Sequence, residues 1–176
     1  MKTLFIWVLL ILPAFSFAQE IAVKTNVAYW ATTTLNAGFE VGIAPKMTLD
    51  LTGTYNPFQF RHNKKIRNWT VQPEWRYWTC NRFAGHFFGV HGHYGQYNGG
   101  LKKYRYQGWL VGGGVSYGYQ WILGKRWNLE TEIGIGYAYL KYDKYLRTKC
   151  GKFIDKDHRN YVGPTKLSIS FMYFLH

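Results

Sequence analysis

Residues 127–142, WNLETEIGIGYAYLKY, constrain the fold more than any other stretch, because strict alternation divides them into two sets that cannot share one environment. Leu129, Thr131, Ile133, Ile135, Tyr137 and Tyr139 fall on one side; Glu130, Glu132, Gly134, Gly136 and Ala138 fall on the other. A period of two is the signature of a β-strand, whose successive side chains point to opposite faces. The run also exceeds the roughly 9–11 residues with which a tilted strand crosses a bilayer. It predicts a transmembrane β-strand, its apolar face toward lipid and its acidic, glycine-bearing face toward a narrow lumen.

The same alternation recurs along the chain. Residues 21–36 set Ile21, Val23, Thr25, Val27, Tyr29 and Ala31 against Ala22, Lys24, Asn26, Ala28 and Trp30, which predicts one continuous first strand. Phe39, Val41 and Ile43 oppose Glu40 and Gly42; after the turn at Pro45, Leu49, Leu51 and Tyr55 oppose Asp50, Thr52 and Thr54. Trp69, Val71, Trp75 and Tyr77 oppose Thr70, Gln72, Glu74 and Arg76, with Pro73 suggesting a bulge. Comparable runs at residues 86–97, 108–121 and 165–173 bring the total to about eight, the smallest outer-membrane barrel. The expected class is all-β, an eight-stranded antiparallel up-and-down transmembrane β-barrel.

Residues 1–18 combine Lys2, an apolar run from Leu4 to Phe17 broken by Pro13, and small residues Ser16 and Ala18. That pattern predicts a secretory signal peptide, leaving residues 19–176 as one barrel domain in the outer membrane. The mean hydropathy is slightly negative. It does not argue for a soluble protein, since a membrane barrel dilutes its lipid face with a polar lumen.

A soluble ligand barrel would show the same alternation with its apolar set turned inward. Three features favour the membrane arrangement. Glycine gathers on the polar face, at Gly89, Gly95, Gly112, Gly114, Gly118, Gly134 and Gly136, where a crowded interior needs small residues. The polar face carries both signs of charge, so Lys24, Arg76 and Lys166 can pair with Glu40, Asp50, Glu74, Glu130 and Glu132. Aromatics cluster toward the ends of the apolar face, with Tyr29, Tyr55, Trp69, Tyr94, Trp109, Tyr137 and Tyr139 at one end and Trp75, Tyr77, Phe88, Tyr119, Trp121, Trp127 and Tyr173 at the other. Two such girdles mark the two water–lipid interfaces.

With both termini in the periplasm, short turns fall near Ala44, at residues 79–84 and at residues 123–126. Long outer loops are expected at residues 56–67, 98–107 and 143–162, with a tight fourth near Leu35. These loops hold Arg61, Lys64, Lys65, Arg67, Lys102, Lys103, Arg105, Lys144, Arg147, Lys149, Lys152, Lys156 and Arg159, against Asp143, Asp155 and Asp157. Most of the formal net charge of +13 therefore gathers on one rim. At a cell surface the nearest polyanion is lipopolysaccharide, and outer-membrane lipid and lipopolysaccharide are the expected partners; nucleic acid is not.

The motifs Lys24-Thr25-Asn26 with Tyr29-Trp30, Tyr55-Asn56-Pro57, Trp75-Arg76-Tyr77-Trp78, Gly85-His86-Phe87-Phe88-Gly89 and Tyr97-Asn98 resemble an uncharacterised Gram-negative outer-membrane family, catalogued as a domain of unknown function. The resemblance covers nearly all of residues 19–176. It implies an outer-membrane barrel encoded near surface-fimbria genes, so an accessory role in surface-pilus assembly or anchoring is the alternative function it suggests. No catalytic residues come with it.

The residues themselves offer little chemistry. A lipid-A-modifying enzyme acting from the lipid side would need an outward serine with a histidine partner, but Ser116, Ser168 and Ser170 all fall on the inward set, leaving Asp157-His158 as a remote candidate. His91 and His93 share a face with His86 nearby, yet no carboxylate or cysteine accompanies them at ligand spacing, so they read as lumen lining rather than a metal site. The stretch from Gly118 to Lys125 departs from a phosphate-binding loop in spacing and in having Arg126 where Ser or Thr is needed. No cofactor is expected, and the function read from the sequence is a non-enzymatic surface protein. The inward charges fill and fasten a lumen that eight strands leave just wide enough for side chains. Cys80 falls in a periplasmic turn and Cys150 in an outer loop. An apolar band of about 25 Å lies between them, whereas a disulfide needs α-carbons within about 7 Å, so two free thiols are expected.

Overall fold

The computed structural model describes residues 20–58, 65–100, 104–146 and 152–175. Eight antiparallel strands close into a single barrel in sequence order: β1 (Ile21–Asn26), β2 (Leu35–Ala44), β3 (Met47–Asn56), β4 (Lys65–Trp78), β5 (Gly85–Gly100), β6 (Tyr104–Ile122), β7 (Trp127–Leu146) and β8 (Phe153–Phe174). Closure comes from β1 pairing with β8, from Ala22 opposite Phe174 to Asn26 opposite Ser170. The ring has no free sheet edge, so every strand finds backbone partners on both sides, the condition for backbone to survive in hydrocarbon.

The alternation predicts the faces correctly. Glu40, Asp50, Glu74, Arg76, Glu130 and Glu132 are buried in the lumen, as are Lys24 and Lys166. Leu51, Val90, Val115, Ile133, Ile135 and Leu167 point outward and are more than half exposed. A water-soluble barrel folded around an apolar interior would have the opposite polarity. Ser116, Ser168 and Ser170 are also buried inside.

Four expectations need correction. The first strand does not run to Ala31: it stops at Asn26, whose side chain accepts the Ala28 N–H and starts a one-turn helix, α1 (Val27–Trp30). An N-capping asparagine offers the backbone an alternative to the ladder. Tyr29 consequently leaves the outer girdle and lines the lumen mouth.

Pro73 causes no bulge, because β4 keeps one register with β5 from Lys65–Gly100 to Trp78–Phe87. The side chain of Pro73 points outward, and Gly92 leaves room beside it, where an added Cβ would still sit 3.9 Å from Pro73 Cγ. The register shifts fall elsewhere, between Gly42 and Ala44, between Gly134 and Ile135 and between Lys144 and Tyr145.

Among the described residues, the segments expected as outer loops are largely strand. β4, β5, β6, β7 and β8 continue past the girdle formed by Trp69, Tyr94, Trp109 and Tyr139, so Arg67, Arg105, Lys144, Lys156 and Arg159 sit on hairpin extensions rather than in loops. Aromatic and charged residues alternate there. Tyr106 packs edge-on against Tyr142 and Tyr145 against Phe153, while Arg105 lies over the Tyr145 ring and Lys144 over Tyr104. Cross-strand aromatic and cation–π pairs of this kind hold a ladder together outside a core. Lys65 also lies in β4; Arg61, Lys64, Lys102, Lys103, Arg147, Lys149 and Cys150 lie outside the described residues.

The fourth correction concerns His86. It shares the outward face, with Nδ1 2.7 Å from the Tyr117 hydroxyl, and so stands across the barrel wall from His91 and His93.

Candidate functional site in the lumen and at its rim

The lumen has three tiers. The end with short turns is sealed by apolar side chains, chiefly Trp78, Phe83, Phe87 and Met172, with Phe174 packed against them. Phe83 enters from the turn between β4 and β5 with a φ of 61°, in the left-handed region that non-glycine residues avoid. Its ring is held 5.9 Å from Trp78 and 5.1 Å from Phe174, and that burial offsets the backbone cost.

Above the plug lies the charge network predicted from the inward set, and the structure brings all eight of its members together. Glu40, Asp50 and Glu74 are directly opposite one another across β2, β3 and β4, an arrangement of like charges that would destabilise a sheet on its own. Arg76 resolves it. Its Nη1 donates to Glu40 Oε2 at 2.6 Å and Glu130 Oε2 at 2.7 Å, Nη2 to Glu132 Oε2 at 2.8 Å and Glu130 Oε1 at 3.1 Å, and Nε to Glu74 Oε2 at 2.9 Å. The planar fork thus engages four carboxylates at once, two of its nitrogens meeting Glu130 side by side, a geometry open to arginine and not to lysine.

Lys24 Nζ lies 3.0 Å from Asp50 and 3.3 Å from Glu130, and Lys166 Nζ bridges Glu74 and Glu132. Neutral donors complete the shell: Thr48 to Glu40 at 2.6 Å, Thr52 to Asp50 at 3.1 Å, and Ser116 to Glu74. Trp78 Nε1 donates to Thr48 at 2.9 Å, tying plug and network together.

Space for these long side chains comes from glycines paired directly across from them on the neighbouring strands. A Cβ on Gly134 would stand 2.9 Å from Lys166 Cβ and 3.0 Å from His91 Cε1, and one on Gly118 would press into the Phe87 ring. The glycine clustering noted in the sequence is therefore a packing requirement of the network and plug.

The third tier, toward the hairpin extensions, is open. Sequence reasoning expected side chains to fill the whole lumen; instead a cavity of about 1040 Å³ lies above the network. Its lining includes Tyr29, Gln72, His93, Tyr97, Ala138 and Arg159. Arg159 and Tyr161 reach it because β8 carries an extra residue, Thr165, at the shift where Gly134 pairs with Lys166 but Ile135 pairs with Pro164. One additional residue reverses the facing of everything beyond it. Gly163-Pro164 was the available signal, hidden because that segment read as loop.

At the floor of the cavity His91 Nε2 lies 2.9 Å from the Thr165 hydroxyl, while Nδ1 of both His91 and His93 has no hydrogen-bond partner among the described residues. No group of three or more metal-ligating side chains assembles among the described residues. Asp157 accepts the backbone N–H of His158 at 2.7 Å and the Tyr142 hydroxyl at 3.2 Å, whereas the His158 ring stacks on Tyr139. Neighbouring residues on a strand face opposite ways, so Asp157 and His158 do not form an acid–base pair.

At the rim, five of the nine acidic residues are withdrawn into the lumen, which leaves the outer surface strongly basic. Among the described residues, Arg67, Arg105, Lys144, Lys152, Lys156 and Arg159 make no salt bridge. Cys80 is a free, exposed thiol in the turn at the opposite end.

Among curated proteins and among solved structures, none matches the chain. A family model matches residues 3–175, nearly the whole length, and by that match the chain belongs to the family described as protein of unknown function (DUF3575).

Proposed function

We propose that the protein is a non-enzymatic outer-membrane barrel, exported through a signal peptide at residues 1–18, whose basic rim binds the phosphates of lipopolysaccharide or another surface polyanion. The observation that carries this reading is the division of charge. The carboxylates are consumed inside by Arg76, Lys24 and Lys166, while the rim cations among the described residues stand above an apolar belt with no carboxylate partner. Exposed cations of one sign attract a polyanion over about a Debye length, so the attraction weakens as salt is added.

Two measurements test it. The protein should float with outer membranes and migrate faster on detergent gels before boiling than after; recovery as a soluble monomer would defeat the membrane assignment. The triple variant Lys144→Glu, Lys152→Glu and Lys156→Glu should bind phosphorylated lipopolysaccharide at least tenfold more weakly at low salt. Equal binding by this variant would reduce the rim to solubilising charge.

A further inference from the structure

The open upper lumen is a second feature, distinct from the rim in chemistry and sharing Arg159 with it. Its volume of about 1040 Å³ lies at the upper end of small-molecule sites. The network of Arg76 and its carboxylates closes it below, so anything entering must come from the hairpin end. We propose that this cavity is a binding site for a short neutral saccharide.

The lining narrows the ligand class. Among the described residues no aspartate or glutamate borders the cavity, so a cationic amine would find no counter-charge there and would have to pass Arg159. Among the same residues Arg159 is the sole lining side chain with a fixed charge, too little to hold a multiply charged anion. The deeper wall adds Gln72 and His93, both more than nine-tenths buried, and Ala31, Leu110, Ala138, Leu140 and Pro164 give the cavity an apolar lining as well.

Such a lining suits a ligand that carries donor and acceptor groups beside an apolar face. Threonine hydroxyls at Thr54 and Thr70, carboxamides at Asn68 and Gln96, and the Tyr97 phenol are the complementary set. Leu110, Ala138 and Leu140 form an apolar strip on the facing wall, suited to the C–H face of a sugar ring. The site does not depend on the polyanion reading of the rim, since no residue reversed in the rim variant lines it.

The test uses the full barrel folded in detergent micelles and a panel of neutral di- and trisaccharides with hexose, deoxyhexose, heptose and N-acetylhexosamine termini. Binding is read by ligand-observed NMR and calorimetry. At least one panel member should bind, insensitively to added salt, and Ala138→Trp, which fills the cavity, should weaken it at least tenfold. Gln72→Leu, which keeps the side-chain volume, should weaken it severalfold, and it serves independently should Ala138→Trp not fold. The rim triple variant should bind the same saccharide unchanged, so failure of the polyanion reading and failure of this one are told apart. Absence of binding across the panel, or binding that neither cavity variant alters, would overturn the proposal and leave the cavity as solvent.

Discussion

The two halves of one lumen are built from the same eight strands and obey opposite rules. In the half nearer the short turns, long side chains are locked together: Arg76 holds four carboxylates, Phe87 lies 4.8 Å from Trp78, and the Arg76 guanidinium sits 4.4 Å above the Phe87 ring. In the half nearer the hairpins, side chains of similar polarity surround a void, and His93 keeps an unpaired ring nitrogen. The first half has the properties of a fastener. The second has those of a receptacle.

The largest test of that contrast is Arg76→Ala. Removing the guanidinium leaves its carboxylate partners uncompensated in a buried site and should cost about 3–5 kcal/mol, read as a lower urea midpoint for loss of the heat-modifiable band. Arg76→Lys keeps the charge but loses the fork and should recover only part of it. A midpoint within error of the parent would mean that the network does not hold the barrel together.

Next comes Phe87→Ala, which should cost about 3 kcal/mol by leaving a void beneath the guanidinium. Its heat-modifiable shift should survive at low urea, because the ion pairs remain. Should it prove as damaging as Arg76→Ala, plug and network are one unit rather than two tiers.

Gly134→Val should cost about 1–3 kcal/mol, since the new side chain meets Lys166 and His91 where they are already close. A stabilised variant would show that the lumen has slack at that level.

The smallest effect belongs to the upper half. Thr70→Ala, which removes a cavity hydroxyl and touches neither network nor plug, should change stability by no more than about 0.5 kcal/mol. A loss comparable to Gly134→Val would erase the distinction between fastener and receptacle.

The sequence by itself determined which side of each strand faces inward at the level of the network, the number of strands and the eight charged members of the network. Alternation is a local property of the chain, and buried charges must find opposite charges whatever the details of the fold. Tertiary structure alone decided the rest. Asn26 could continue a strand or cap a helix, and the choice rested on neighbours more than a hundred residues away, where its side chain bonds the backbone of Leu167 and Ile169. The facing of Arg159 and Tyr161 depends on Thr165 being unpaired against β7, a relation between two strands that neither strand's own pattern contains. The cavity is subtler still. A void is a property of what opposing walls fail to fill, and it exists in no segment of the sequence until the barrel closes.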